Sequence, residues 1–223
     1  MQKLLKKKKF IIIVAITLIF IGAVLKFTVF SKKEVDPFTT ITDQTEFDDY
    51  PNKPIGLPVN PAEVIAFGPF HGNKNGGTGN FHSGFDFLVD HEGVSYYAID
   101  DMTVESIDLF QDFGQQTNHP QVNIMFKGEG PWSYFYAFEP FGSQQADADK
   151  QLTMISVKEG QKLKKGDLVG TLHYVADGAH VHVSVLKDDT HSCYESLFSR
   201  EDKAKLIPLV RVTADQEKKL CYY

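Results

Sequence analysis

The sequence has little cysteine, and both of its cysteines, Cys193 and Cys221, stand within the last 31 residues. Neither has a neighbour at the spacing of a cysteine-based zinc site, which excludes that kind of metal centre. In an oxidising compartment the two thiols are able to pair and to tie the C-terminal tail to the body of the protein. The alternative is two independent thiols.

Signatures of several other protein classes are also missing. The sequence has no heptad run, which disfavours a coiled-coil envelope adaptor, and no lysine in the exposed turn expected of a lipoyl or biotinyl carrier. The glycine-rich segment 72–80 lacks the Gly-Lys-Ser/Thr ending of a phosphate-binding loop. We expect this segment to form a flexible wall of a groove.

Acidic residues are absent from the first 33 positions, whereas eight of the 23 basic residues lie there. From Glu34 onward, the remaining 15 basic residues are outnumbered by 29 acidic ones, which gives a formal net charge of −14. A surface this acidic repels polyphosphate, so nucleic acid is excluded as a partner. A cationic partner is compatible with it.

The N-terminus combines a basic cluster with an apolar run. Residues 1–9 hold five lysines, and residues 10–30 are apolar or small apart from Lys26. As a helix, this run is about 31 Å long, which matches the hydrocarbon thickness of a bilayer. We therefore predict a cytoplasmic segment (1–9) and an uncleaved transmembrane signal-anchor (10–30), with a cleaved signal peptide as the alternative. The excess of lysines before the run places the C-terminal domain outside the cytoplasm, on the periplasmic or cell-wall side.

Residues 31–61 are polar and rich in proline, which predicts a linker. Residues 62–223 predict one antiparallel all-β domain with a C-terminal tail, because short runs rich in β-branched and aromatic residues alternate with turn signals. The predicted strands are 94–99, 104–108, 122–126, 132–138, 152–157, 168–174 and 180–186. The one predicted helix of this domain is 195–206.

The histidines carry the strongest chemical signal. Histidine or serine alternates with valine in the segment 180–185. On a strand, His180, His182 and Ser184 therefore share one face while the valines enter the core. Two imidazoles on one face are able to approach the same ion, or one binds the ion while the other moves protons.

His82 and Asp86 form a second pair, whose even offset of four again puts both side chains on one strand face. Two imidazoles and a carboxylate with an open fourth position are what a catalytic zinc requires. Gly84 lies between the pair and is expected to leave room for an ion and a substrate backbone. The alternative is a histidine–aspartate hydrogen bond that fixes a loop.

Four segments occur in the order found in one peptidase family. They are HSGFD at 82–86, YYAIDDMTVESI at 96–107, the glycine-rich hairpin VKEGQKLKKGDLVG at 157–170, and GAHVHVSV at 178–185. Together they resemble the lysostaphin-type (LytM-like) zinc metallopeptidases, which act on peptide cross-links of bacterial cell walls. The resemblance implies a barrel-sandwich (duplicated hybrid motif) peptidase domain.

The resemblance implies that His82, Asp86 and His182 hold Zn²⁺ and that His180 is a catalytic residue that assists the attacking water. A zinc ion with three protein ligands lowers the pKa of water towards about 7 and polarises a carbonyl group. The implied function is a membrane-anchored zinc metalloendopeptidase that hydrolyses the peptide cross-links of peptidoglycan.

One position departs from the family pattern. The family carries a further histidine in a Tyr-Ala-His segment, where residues 136–138 of this sequence read Tyr-Ala-Phe. Phe138 neither donates a hydrogen bond nor accepts a proton, and Glu139 is expected to point to the opposite strand face. His119 and His173 are candidate substitutes. The alternative function is therefore a catalytically degenerate member that binds or regulates cell-envelope partners.

Overall fold

The computed structural model describes residues 50–51, 53–72, 82–111, 120–191, 193–211 and 217–222. The chain divides into two units, 1–37 and 38–223, and the described residues belong to the second. The strands are β1 (Ala66–Gly68), β2 (Phe70–His71), β3 (Phe85–Leu88), β4 (Ser95–Tyr97), β5 (Met102–Gln111), β6 (Pro120–Lys127), β7 (Trp132–Glu139), β8 (Lys162–Leu163), β9 (Leu168–Thr171), β10 (His180–Lys187), β11 (Thr190–His191) and β12 (Cys221–Tyr222). The α-helices are α1 (Gln145–Thr153) and α2 (Arg200–Leu206), and short 3-10 helices lie at Pro61–Glu63, Glu195–Leu197 and Ile207–Leu209.

One antiparallel sheet contains most of these strands. Strands β1, β3, β10, β7, β6, β5 and β8 lie side by side in that order, and β11 pairs with the end of β10. Two smaller pairings join β4 to β9 and β2 to β12. The described residues are thus mainly antiparallel β-structure with few helices, which agrees with the predicted all-β class.

Alternation along the central strands determines which side chains enter the core. Val181, Val183 and Val185 of β10 are fully buried, as are Phe85 and Phe87 of β3. The residues between them face the other side of the sheet, because successive side chains of a strand point to opposite faces. His182 and Ser184 are buried as well, but on that other face, where Nε2 of His182 is hydrogen-bonded to Ser184. The faces that residues 180–185 occupy therefore agree with the predicted alternation.

Most of the other predicted strands are observed, but the strand predicted at 152–157 is wrong because residues 145–153 form α1. The Asp147 carboxylate accepts a hydrogen bond from the amide of Gln144 and so stabilises the first turn of this helix. Buried Gln151 binds the carbonyl oxygen of Thr171 and the amide of His173. A glutamine therefore makes the inward contact of α1, and for this reason the helix has no clear apolar pattern.

Two further segments differ from their predictions. In the segment 157–170, Gly160 and Gly166 adopt φ angles of 78° and 91°, as turns require. Its strands β8 and β9, however, pair with β5 and β4 and not with each other. The helix predicted at 195–206 is broken at Ser199, whose hydroxyl accepts a hydrogen bond from the amide of Asp202 and begins α2.

The domain begins before the predicted boundary at residue 62. Tyr50, Ile55 and Val59 are buried in the core, so the linker predicted at 31–61 needs correction over its described part, where apolar side chains pack between the prolines. The predicted segments 1–9 and 10–30 lie outside the described residues, as do most of the glycine-rich residues 72–80. Within the described ranges, no helix is long and apolar enough to cross a membrane.

A buried polar cluster attaches this N-terminal segment to the sheet. The Tyr50 hydroxyl donates a hydrogen bond to the Asp100 carboxylate and lies 2.6 Å from the hydroxyl of Tyr134, which itself donates to Asp100 over 3.0 Å. Burial, together with Tyr134 and Asp100, raises the pKa of Tyr50. Since Asp100 is only 4% exposed, it depends on these donors for the hydrogen bonds that water would otherwise supply.

A disulfide joins Cys193 to Cys221, which decides between the two alternatives for these cysteines. Cys221 belongs to β12, which runs parallel to β2, and the amide of Phe70 in β2 donates to the carbonyl oxygen of Leu220 over 3.0 Å. The disulfide therefore fixes the C-terminal strand against the segment that ends at His71.

We expect Tyr50→Phe to lower the free energy of unfolding by about 1–3 kcal/mol, because it removes a hydrogen-bond donor from buried Asp100 and keeps the aromatic ring. Urea denaturation of the purified chain measures this loss. Tyr97→Phe changes a half-buried tyrosine outside the cluster and is expected to cost much less. Equal losses in the two variants would contradict the role of the cluster.

Candidate metal centre

The pairing of β3 with β10 brings the two predicted residue pairs together. Asp86 stands directly opposite His182 in this register. His82 precedes β3 and exchanges two backbone hydrogen bonds of 3.0 and 3.1 Å with His71. On the other side of β3, Gly68 of β1 stands opposite Asp86. Side chains 100 positions apart in the sequence, those of His82 and His182, thus meet at one point of the sheet.

The donor atoms of His82, Asp86 and His182 converge on this point. Oδ1 of Asp86 lies 2.9 Å from Nε2 of His82 and 2.8 Å from Nδ1 of His182. The two ring nitrogens are 3.1 Å apart. Ligands of a tetrahedral zinc ion, each about 2.0–2.1 Å from the metal, stand roughly 3.3 Å from one another. The triangle therefore has close to the size that one such ion requires.

Each of the two imidazoles is oriented by a second hydrogen bond. Nδ1 of His82 donates to the carbonyl oxygen of Pro69 over 2.7 Å. Nε2 of His182 donates to Oγ of Ser184 over 2.9 Å, because the Ser184 hydroxyl donates its own proton to the carbonyl oxygen of Ser83. With these two nitrogens as donors, the nitrogen nearest Asp86 is the one that carries the lone pair in the neutral form of each ring, which is the tautomer that a metal ligand needs.

His180 stands beside this triangle. Its Nδ1 donates to the carbonyl oxygen of Gly178 over 2.7 Å. Its Nε2 lies 3.6 Å from Oδ1 of Asp86 and 3.4 Å from Oε1 of Glu139. His180 thus reaches the site between two carboxylates.

The electrostatics of the site favour a cation. Burial raises the pKa of Asp86, but His82 and His180 lower it further, so that this pKa lies well below its usual range. Burial lowers the pKa of His180, whereas Glu139 and Asp86 raise it, to about 10. The two carboxylates therefore stabilise positive charge at this point of the sheet.

Two glycines provide the space for these side chains. A Cβ atom on Gly84 would stand 2.6 Å from Nε2 of His182 and 2.4 Å from the carbonyl oxygen of Val183. A Cβ atom on Gly68 would stand 2.8 Å from Oδ2 of Asp86. The space at Gly84, expected for an ion and a substrate backbone, is therefore filled by the ring of His182 and the backbone of β10.

Phe138 and Glu139 lie on faces opposite to those expected. Phe138 is fully buried in the core opposite Val181, whereas Glu139 stands opposite His180 on the site face. The expectation for Glu139 is wrong because residues that stand opposite each other in β7 and β10 point to the same face. His180 and His182 stand opposite Glu139 and Ala137, so the odd-numbered residues of β7 face the site. The even-numbered positions 132–138 are all aromatic, and this pattern in the sequence indicates that they belong to the core.

Neither of the two candidate substitutes for this histidine is observed at the site in the described part of the chain. His173 lies with Nδ1 2.9 Å from the Glu92 carboxylate, and His119 lies outside the described residues. The site face of β7 carries Phe135, Ala137 and Glu139, and the Phe135 ring packs edge-on towards the His182 ring with centroids 6.1 Å apart. Glu139 is thus the polar group that β7 presents to the site.

A groove of about 680 Å³ opens beside the donor set and is lined by both Asp86 and His180. The donor set fits zinc, because two imidazole nitrogens and one carboxylate oxygen suit this ion, whereas Mg²⁺ and Ca²⁺ favour oxygen ligands. His82, Asp86 and His182 would hold the ion.

A second group of metal-ligating side chains, Cys193, Glu195 and Cys221, is ruled out as a site because its thiols form the disulfide.

No family model matches the chain, and neither does any curated protein. The chain is similar to several solved structures. It shares 21% identity and a TM-score of 0.42 with a zinc-containing peptidase from Vibrio cholerae, over 63% of this chain and 39% of that one. The SpoIIQ–SpoIIIAH pore-forming complex gives 16% identity and a TM-score of 0.48, over 66% and 92% of the two chains. The catalytic domain of lysostaphin from Staphylococcus simulans gives 18% and 0.33, over 63% and 88%.

These similar structures include lysostaphin and a zinc peptidase, the kinds of protein that the sequence motifs resemble. The chain spans well under half of the Vibrio cholerae protein. At such identities and TM-scores the likeness concerns the fold alone. The chemistry of the site must therefore be argued from the residues of this chain.

We expect Gly84→Ala to weaken zinc binding by about 10- to 100-fold, because the added methyl displaces the His182 ring from its hydrogen bond to Ser184. Competition with a chromogenic chelator measures the affinity. Gly93→Ala is the control, since Gly93 has a φ of 82° but open space around its Cβ position. That control is expected to lose stability and to keep its zinc affinity. Unchanged zinc affinity in Gly84→Ala would refute the arrangement.

Proposed function

We propose that this chain is a zinc endopeptidase that hydrolyses peptide cross-links of bacterial peptidoglycan. The observation that carries the proposal is the convergence of two imidazole nitrogens and one carboxylate oxygen, 2.8–3.1 Å apart, at the side of an open groove. A zinc ion held by His82, Asp86 and His182 would supply Lewis-acid activation of a water molecule and of the scissile carbonyl.

His180 is proposed to move the proton. Its Nδ1 is fixed by the carbonyl oxygen of Gly178, so its Nε2 is the atom that takes up and releases a proton in the groove. Glu139 and Asp86 stabilise the protonated ring. A protonated Nε2 is able to donate its proton to the departing amine of a cleaved peptide bond. Glu139 acts through His180 and is therefore a positioning residue.

The setting proposed for this activity is the outer surface of a membrane. The N-terminal segment 10–30 would be a single-pass anchor, and the domain would take the barrel-sandwich architecture of the resembling family. The excess of acidic residues from Glu34 onward suits a substrate that carries amino groups, as peptides of the cell wall do.

A catalytically degenerate protein that binds or regulates cell-envelope partners is the second candidate. One observation favours it. In the described part of β7, the site face carries Glu139 and no histidine, so the second imidazole of the family pattern is missing from this strand. A carboxylate holds His180 but does not donate a hydrogen bond to a developing oxyanion, which would remove part of the transition-state stabilisation.

We expect the purified full-length chain to bind about one zinc ion and to release peptides from isolated cell walls. His182→Ala and Asp86→Ala each remove one ligand and are expected to lose most of the zinc and at least 100-fold of the release. Metal analysis and chromatography of the released peptides are the measurements. His91→Ala, which changes an exposed histidine near Glu63 and Asp90, is the control.

The two candidate functions predict different results for the unmodified chain. Stoichiometric zinc with no peptide release from any wall preparation would reject the peptidase and support the degenerate protein. Freshly isolated protein that binds no zinc would reject the metal centre itself.

Glu139→Gln is expected to lower kcat by about 10- to 100-fold and to leave KM and zinc content nearly unchanged, because it removes the charge that holds a proton on His180 without touching a ligand. Glu139→Asp is expected to restore part of the activity. Glu129→Gln, at an exposed turn, serves as the control. A change in KM alone would show that Glu139 binds substrate and does not act through His180.

A further inference from the structure

The groove beside the metal centre has a second charged wall that the proposed reaction does not use. Beyond Asp86 and His180, its lining includes a cation, an anion and two exposed apolar side chains, which are Arg211, Asp177, Phe141 and Ile65. A groove that continues past the reacting atoms in this way has room for further residues of a peptide.

The backbone holds Arg211 at a defined distance from the metal centre. Val210 forms a bridge with Phe67 of β1, and the amide of Arg211 donates to the carbonyl oxygen of Phe67 over 3.1 Å. Strand β1 pairs with β3, where Gly68 stands opposite Asp86. Two strand spacings of about 4.8 Å, roughly 10 Å in all, therefore separate the backbone of Arg211 from that of Asp86.

Arginine is rare in this chain. Arg200 and Arg211 are two of the 23 basic residues, and the other 21 are lysines. Among the described residues, Arg211 forms no ion pair, and Asp177 in the same groove instead accepts a hydrogen bond from the Tyr174 hydroxyl over 2.7 Å. In a domain with a large excess of acidic residues, a guanidinium that faces a groove and has no ion-pair partner in the described part of the chain is available to a ligand.

Phe141 forms a fixed apolar wall of the groove. Its φ of 63° is a conformation that bulky residues adopt only where their surroundings hold them. Its ring centroid lies 5.9 Å from that of His180, and a Cβ atom on Gly178 would stand 2.8 Å from the Phe141 ring. The ring nevertheless stays 38% exposed, and Ile65 is 49% exposed. Both side chains offer contact area to the apolar side chains of a peptide.

We propose that Arg211 is a carboxylate-binding subsite, so that the preferred substrates are peptides with a free carboxylate a few residues from the bond that is cut. The inference rests on the proposed function and adds the class of substrate to it. An extended peptide advances about 3.3 Å per residue, so the roughly 10 Å between the backbones of Asp86 and Arg211 corresponds to a few residues. A guanidinium binds a carboxylate through two parallel hydrogen bonds, which a lysine does not reproduce. Asp86 and Asp177 make the groove unfavourable for a doubly charged phosphate.

The test compares two probes on the full-length chain from which metal has been removed with a chelator, so that neither probe is cut. They are tetra-alanine acetylated at its N-terminus, with either a free C-terminal carboxylate or a carboxamide. Isothermal titration calorimetry is expected to show at least tenfold tighter binding of the carboxylate form. Arg211→Ala is expected to abolish this difference, and Arg211→Lys to retain only a small part of it. Arg200→Ala, at the first position of α2, is the matched control and is expected to keep the full difference.

Phe141→Ala provides a second measurement, because it is expected to weaken both probes equally and to leave their ratio unchanged. Equal affinity of the unmodified chain for the two probes, no measurable binding of either, or a preference that survives in Arg211→Ala would overturn the proposal.

The subsite and the peptidase fail separately. If the preference depends on Arg211 but the zinc-loaded chain releases no wall peptides, the peptidase proposal is wrong and the carboxylate site stands. If peptides are released and Arg211→Ala leaves KM unchanged for substrates with either end group, the carboxylate site is wrong and the peptidase stands.

Discussion

The candidate site depends on one constraint, the register between β3 and β10. This register puts Asp86 opposite His182 and Leu88 opposite His180. A slip of one residue in either strand would turn the donor side chains into the core and the buried valines and phenylalanines into the groove, because the side-chain period of a strand is two. The fully buried residues on the core face therefore maintain the geometry on the site face, and the same pairing that stabilises the sheet also brings together the side chains of the candidate metal centre.

Packing around the donors leaves little freedom for any of them. The rings of His82 and His182 are each fixed by an acceptor on the side away from Asp86, and glycines at 68 and 84 remove the atoms that would block the carboxylate and the ring. The segment before β3 is held by β2, which is held in turn by β12 and the disulfide at Cys221. A histidine–aspartate hydrogen bond alone requires one imidazole beside the carboxylate, whereas here the nitrogens of two imidazoles and the same carboxylate oxygen lie within 3.1 Å of one another.

Much of this site is predictable from the sequence, because the spacing of residues within each single strand determines it. Strict alternation in 180–185 and an even offset between His82 and Asp86 determine which side chains share a face, whatever the partner strand is. The family pattern predicts the wrong face for Glu139, whereas the alternation of aromatic residues along β7 indicates the observed one. Helix α1 is not predicted by an apolar pattern because its inward contact is made by Gln151. The early start of the domain is not evident either, because Tyr50 is hydrogen-bonded to buried Asp100 and no local pattern identifies this pair.

The presence of Glu139 in place of a second imidazole changes the chemistry expected of this site in a specific direction. A carboxylate 3.4 Å from Nε2 of His180 makes the imidazole a weaker acid, so that the ring keeps its proton until a more basic atom is near. That favours delivery of a proton to the departing amine and disfavours removal of a proton from water at neutral pH. In a peptidase, a carboxylate at this position would also disfavour the negative charge that develops on the carbonyl oxygen of the substrate, whereas a neutral imidazole would not. If the chain is a peptidase, its ligands must therefore provide nearly all of the stabilisation of that charge through the metal, and its rate is expected to depend more steeply on the metal site than on His180.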